Sequence, residues 1–306
     1  MKILSPEQIR EADAYTIKHE PIASILLMER AAEAVVLKLL QDYGLKIYKG
    51  NPTKIFCGLG NNGGDGLAIA RILMRKGAKV EVYIVRHAEK SSMDFNFNKD
   101  RFTKQALKVV YSIKSRKDFP EIKQDDVIID ALFGTGLSKP VTGLAADVIR
   151  HINASGAEVI SIDMPSGLFA DAHTPAEHAV VHATKTLTFQ SPKLSFFFPE
   201  NADRVGEWKV LDIGLDESFI AKLPSQKTII TKELVQSFLK PRKKSSKSRC
   251  NLSRWWEVPV PIIHLCMISS CRLPPRDLVI LIRARTRRMK TSALICISNT
   301  RVIWRV

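Results

Sequence analysis

The sequence predicts an α/β fold, a doubly wound and mostly parallel sheet with helices on both faces, preceded by two N-terminal helices. Three observations carry this. Apolar strand patterns alternate with helical patterns from about residue 54 to residue 164. The strands read as continuous aliphatic runs rather than in-out alternation, the mark of strands buried on both faces. Between the first strand and the helix after it lies Gly58-Leu59-Gly60-Asn61-Asn62-Gly63-Gly64-Asp65-Gly66, where bare backbone N–H groups and a helix N-terminus can approach an anion closely.

Each element has a local cause. Ser5-Pro6-Glu7-Gln8 starts a helix, with Ser5 as N-cap, Pro6 at the first helical position and Gln8 closing a capping box; the helix is expected to run to about residue 18. A second helix is expected over 23–43, stopped by Gly44. Strand 54–57, the Gly-rich turn, helix 67–76 ending at Gly77 and strand 79–85 follow. The polar stretch 89–101 reads as a loop or flap, and helical pattern resumes at 102–107 before a short apolar run at 109–113. Strand 126–132, helix 145–153 and strand 158–164 complete the alternation, and runs 183–189 and 208–213 read as additional strands, the last at an edge.

The net charge of +16 is unevenly placed. Residues 241–306 carry 15 Lys+Arg against 2 Asp+Glu, while residues 1–240 carry 32 against 29 and are nearly neutral. All 15 glycines precede residue 241, and four of the five cysteines follow it. Cys57, alone in the body, offers no disulfide framework, which points to a cytoplasmic protein. The first residues have no apolar signal region and no apolar run is long enough to span a bilayer, so no membrane association is expected.

Ligands of such sheets collect beyond the carboxyl ends of the strands. Three loops there carry unusual chemistry: 61–65, the run Asp130-Ala131-Leu132-Phe133-Gly134-Thr135-Gly136-Leu137-Ser138-Lys139-Pro140, and Asp163-Met164-Pro165-Ser166-Gly167. Asp130 and Asp163 each end an aliphatic run, where an unpartnered carboxylate is costly. A bound cation, a substrate hydroxyl and loop N–H groups are the available partners. Asp65 reads either as part of a phosphate cradle or as a plain helix N-cap. Gly58, Gly60 and Gly63 satisfy G-x-G-x-x-G, but Glu81 lies near the start of its strand, whereas a ribose ligand belongs at the far end, where Arg86 and His87 stand.

Together these motifs, with Lys185-Thr186-Leu187-Thr188-Phe189, Lys193, Asp212-Ile213-Gly214 and Leu27-Met28-Glu29-Arg30-Ala31-Ala32, resemble the NAD(P)H-hydrate epimerase family over about residues 1–240. The resemblance implies a Rossmann-like three-layer domain that interconverts the R and S epimers of hydrated NADH and NADPH. It implies that Asn61, Asn62, Gly63, Gly64, Asp65, Gly134, Thr135, Gly136, Leu137, Ser138, Lys139 and Pro140 hold the dinucleotide. Asn62, Asp130 and Ser166 would ligate a potassium ion, and Asp163 would lie beside the hydrated ring. Inverting a carbinol carbon needs a proton delivered and removed, which suits a buried carboxylate at Asp163. A homodimer is the assembly the family suggests. The rivals are an NAD(P)-dependent oxidoreductase and a non-catalytic nucleotide-binding module.

Other candidates have plainer readings. His173, His178, His182 and Glu177 straddle a loop and a strand at mismatched faces and read as solvated or core residues. Phe196-Phe197-Phe198 reads as core or interface rather than a stacking platform, and Lys193 as a surface lysine by default, with a phosphate ligand as the alternative. In bacterial relatives this domain is fused to an ADP-dependent dehydratase, and residues 239–244 resemble the junction. Beyond it no glycine remains to build a nucleotide loop, so dehydratase activity is expected to be absent. Residues 241–306 read as an out-of-frame or disordered remnant; the competing reading is a basic arm for nucleic acid or a membrane surface, which the near-neutral body does not favour.

Overall fold

In the computed structural model, seven parallel strands stand in the order β3-β2-β1-β4-β5-β6-β7. The described residues are 2–106, 109–225 and 227–229, with two short strands further on. The sheet strands are β1 (Thr53–Cys57), β2 (Val80–Val85), β3 (Val110–Ile113), β4 (Val127–Ala131), β5 (Glu158–Ile162), β6 (Lys185–Phe189) and β7 (Glu207–Leu211). The chain winds outward from β1 through β2 to β3, then returns to lay β4 on the other side of β1 and continues to β7 at the edge. β1 and β4 therefore flank the point where strand order reverses, with Phe56 beside Asp130 and Cys57 beside Ala131. A crevice opens beyond the carboxyl ends at such a point.

Side-chain alternation divides the core into layers. Ile55 and Cys57 point into a core shared with α1 (Pro6–His19), α2 (Ser24–Lys49), α3 (Asn61–Arg75) and α4 (Met93–Ala106). Phe56 points the other way, with Ile128 and the apolar face of α5 (Gly143–Ala154). A third cluster joins Met164, Leu168, Val180 and Phe196, with Trp208 against it. The three-layer expectation holds, and the aromatic run packs as core.

α1 has its expected start: Ser5 Oγ accepts from the Gln8 N–H, and Gln8 Oε1 accepts from the Ser5 N–H. Three boundaries differ. α2 runs through Gly44 to Lys49, because Ile47 is buried in the core and repays the roughly 1 kcal/mol that a mid-helix glycine costs. α3 begins at Asn61, not 67, so the amide-glycine run is its first turn. Gly60 is the N-cap and Asp65 lies inside the helix. A Cβ at Gly63 would sit 2.0 Å from the Gly58 carbonyl oxygen, and one at Gly66 would sit 2.7 Å from Ala131 Cβ. Glycine here lets the helix start against the strands. The stretch read as a flap is α4, whose Phe95, Asn98, Phe102 and Ala106 bury one stripe, with Ser92 Oγ accepting from the Phe95 N–H.

Residues Leu4–Leu223 form one unit and Met1–Ile3 with Pro224–Val306 another. In the second, strands β8 (Lys227–Ile229), β9 (Val279–Ile280) and β10 (Ile295–Ile297) pair antiparallel in the order β8-β10-β9. The rest of the basic segment 241–306, and so the remnant reading made for it, lies outside the described residues. No helix among the described residues is long and apolar enough to cross a membrane.

Candidate functional site

The crevice at the strand reversal collects the three loops. Asn62, in the first turn of α3, is 7% exposed, yet neither its Oδ1 nor its Nδ2 has a hydrogen-bond partner among the described residues. An unpaired buried amide costs about 1–3 kcal/mol, so such a group is retained for something it meets. Gly134 lies between it and Asp163: a Cβ there would be 3.5 Å from Asn62 Cβ and 3.5 Å from Asp163 Oδ2. The first turn of α3 has no side-chain cap, leaving its N–H groups available beside this amide.

Asp130 is fully buried on β4 and takes its hydrogen bonds locally. Its Oδ1 accepts from Ser166 Oγ at 2.6 Å and the Leu132 N–H at 3.3 Å; its Oδ2 accepts from Ser161 Oγ at 2.8 Å and the Ser166 N–H at 2.9 Å. Burial nonetheless pushes its carboxyl above the usual range, with the Ser166 bonds opposing. Ser166 Oγ also accepts from the Phe133 N–H at 2.9 Å, so the second and third loops are tied together beside Gly134.

Asp163 follows β5 with φ of +65°, a left-handed conformation that costs a non-glycine residue about 1–3 kcal/mol. Its N–H donates to the Leu187 carbonyl at 2.7 Å, locking the bend to β6. Its Oδ1 meets Lys193 Nζ at 2.9 Å and accepts weaker bonds from Thr188 Oγ1 and the Phe189 N–H, both at 3.3 Å. Lys193 is 1% exposed and also donates to the carbonyls of Phe189 and Ser191 at 3.1 and 3.0 Å. All three ammonium hydrogens are thereby committed. Lys193 is neither a surface lysine nor a phosphate ligand, but an internal counter-ion for Asp163.

Asp65 has its carboxyl pushed well above the usual range, first by burial, then by the charges of Asp163, Asp13 and Asp94. Asp13, on α1, is pushed up to about 6 by burial and by Asp163, with Lys193 opposing. Sequence reasoning missed Asp13, Thr188 and the true setting of Lys193. A signal for Asp13 existed: it falls on the Ile9, Ala12, Thr16 stripe that α1 buries. In the loop after Gly134, Thr135 and Leu137 are half-buried, whereas Gly136, Ser138, Lys139 and Pro140 are exposed; Asn61 is exposed at the mouth.

The histidines do not converge. His173 meets Glu200 at 3.0 Å on the surface, and among the described residues no group of three His, Cys, Asp or Glu side chains is placed to hold a metal. Cys57 is buried and its thiol is pushed up, mainly by burial, which makes it an inert core residue.

Fold and site together define a doubly wound α/β domain with a polar, carboxylate-lined crevice at its topological switch point. The chain belongs to the family described as YjeF-related protein N-terminus, which matches residues 24–195. It is 36% identical over 216 residues to an NAD(P)H-hydrate epimerase of Oenococcus oeni, covering 70% of this chain and 97% of that one. With the NAD(P)H-hydrate epimerase of Weissella koreensis it shares 35% identity over 69% of this chain and 91% of the relative. A bifunctional NAD(P)H-hydrate repair enzyme of Moorella thermoacetica is 32% identical over 80% of this chain, which spans only 46% of that relative's length. The crystal structure of yeast ynu0 has the same fold, with a TM-score of 0.57 and 22% identity over 69% of this chain and 87% of that one.

Proposed function

We propose that the chain is an NAD(P)H-hydrate epimerase, an isomerase that interconverts the R and S forms of hydrated NADH and NADPH. The single observation that carries this beyond the relatives' names is the pairing of an orphaned Asn62 amide with the ion-paired, left-handed Asp163 across the bare backbone of Gly134. That is a slot lined by one neutral polar group and one carboxylate, with uncapped helix N–H groups at its side.

In this reading the α3 N-terminus, with Asn61, Asn62, Gly63, Gly64 and Asp65, holds the anionic part of the dinucleotide through backbone N–H groups. The loop Gly134 to Pro140 closes over it. Asp163 takes or gives the proton at the carbinol oxygen, and Lys193 keeps its carboxylate aimed and charge-balanced. Nothing in the sequence of proton transfers requires a hydride acceptor, which separates this reading from an oxidoreductase.

Asn62, Asp130 and Ser166 are the residues that would hold a potassium ion. An all-oxygen set suits a hard cation, Asn62 offers a buried oxygen without a partner, and Asp130 retains an uncompensated desolvation cost that a cation would relieve. Bound there, the ion supplies a fixed positive charge that orients the amide and offsets the buried carboxylate. A homodimer working in the cytoplasm completes the proposal, the dimer being checked by light scattering.

The test resolves the two hydrates by chromatography and follows their interconversion above the rate in buffer alone. Wild type is expected to equilibrate them without oxidising or reducing the nicotinamide, and Asp163→Asn to lose about 100-fold or more in rate. An Asp163→Asn protein with undiminished turnover, or a wild type that only binds or transfers hydride, ends the proposal.

A further inference from the structure

The site described so far uses one proton-transferring carboxylate, but an epimerisation must deliver one proton and remove another. The molecule supplies a second carboxylate at the same place. Asp13 lies on α1, an element that no nucleotide motif touches. Its helix is tied to later elements: just before α1 the Leu4 N–H donates to Ser191 Oγ at 3.2 Å, and beyond β7 the Asp216 N–H donates to Thr16 Oγ1 of α1 at 3.0 Å. Ser191 is also the residue whose carbonyl receives Lys193 Nζ. The entry to α1 is thus bonded to the loop that carries the Asp163 counter-ion.

Within that packing Asp13 Oδ1 is buried and has no hydrogen-bond partner among the described residues. The charged groups that act on it come from other elements: Asp163 after β5 and Lys193 after β6, while Asp65 of α3 feels Asp13, Asp163 and Asp94 of α4 together. Lys193 is the cation of this group, and its hydrogens are spent on Asp163 and two carbonyls. A carboxylate crowded by others and left without a counter-ion binds a proton instead. Independently, the amide of Asn62 offers this pocket a free donor and acceptor: it is 7% exposed, unpartnered among the described residues and beside Asp163 across Gly134.

We propose that Asp13 is the second acid–base group of this pocket, the one that delivers a proton to the carbinol oxygen of the hydrated nicotinamide while Asp163 receives one; this rests on the epimerase reading. The step balances. The Asp13 proton passes to the hydroxyl, the C–O bond breaks and water leaves as the ring-nitrogen lone pair forms the C=N bond. Water then adds to the opposite face, the new C–O bond forms, the C=N pair returns to nitrogen, and the surplus proton goes to the Asp163 carboxylate. Solvent exchange returns the proton to Asp13, with no net oxidation or reduction.

The experiment compares wild type, Asp13→Asn and Asp13→Glu for epimerisation from pH 5 to 9, with circular dichroism to verify folding and NADH fluorescence titration to measure binding. Wild-type kcat/KM is expected to fall as pH rises above a limb near 6, where Asp13 loses its proton. Asp13→Asn should lose about 100-fold or more on the acid plateau, lack that limb and bind NADH within threefold of wild type. Asp13→Glu should recover part of the rate with a displaced limb, a result that a merely structural role would not give. An active wild type whose Asp13→Asn variant keeps its rate within threefold, or keeps the limb, overturns the assignment of Asp13 while leaving the epimerase reading intact. A wild type without epimerase activity overturns both.

Discussion

At the scale of single residues, the site gathers several destabilising choices: a left-handed Asp163, an unpartnered Asn62 amide and an unpaired Asp13 oxygen. Such costs persist where the surrounding structure over-determines them and function uses them. Asp13 makes the cost measurable. Its folded-state pKa, pushed up to about 6, exceeds its unfolded value, so between about pH 4 and 6 the folded state binds more protons and stability falls as pH rises. The penalty is complete above pH 6, with a ceiling of about 3 kcal/mol. Asp13→Asn is therefore expected to raise the urea midpoint at pH 7.5 and to change it little at pH 4; equal effects at both would contradict the shift. Lys193 and Asp163 are the counter-example, an internal ion pair whose ammonium also satisfies two carbonyls. No feature of the local sequence around Lys193 distinguishes it from a surface lysine, because the carboxylate that draws its ammonium inward, Asp163, lies 30 positions away on the neighbouring strand end.

At the scale of elements, the start of α3 depends on missing side chains. Gly63→Ala places a methyl carbon 2.0 Å from a backbone oxygen, so either the helix start or the turn after β1 must move. The expected result is a loss of about 1–3 kcal/mol in chemical denaturation and a weakened grip on nucleotide. A variant as stable and as tight as wild type would show that the close approach is unimportant. The elements were legible wherever a long apolar period or a capping signal spoke. The capping box of α1 and the aliphatic runs of β1, β4 and β5 placed themselves, and with them Asp130 and Asp163 at strand ends. Two helical stretches misled. α4 buries only Phe95, Asn98, Phe102 and Ala106 within a polar run, so its period is sparse. α2 continues past Gly44 because Ile47, three residues on, finds the core. In both cases burial supplied by a neighbouring element outweighed the local signal.

At the scale of the molecule, all three apolar clusters lie within residues 4–223. A chain cut after Lys240 is expected to keep its thermal midpoint within about 3 °C and its epimerase rate, while its net charge falls from +16 to +3 and retention on heparin is lost. A large drop in midpoint would assign the basic segment a structural role. The site itself could be placed in a crevice from the sequence because strand ends converge there. Its electrostatics could not be read, since Asp13 and Lys193 are 180 positions apart and act on each other only once the chain is folded. The winding order has a consequence for synthesis. Strand β1 acquires β4 as its neighbour only after β2 and β3 have been made, and Asp163 acquires its ammonium only when residue 193 has emerged. The crevice is consequently completed in stages: its Asn62 and Asp130 sides can be laid down early, but the Asp163 carboxylate stands without its counter-ion until residue 193 arrives.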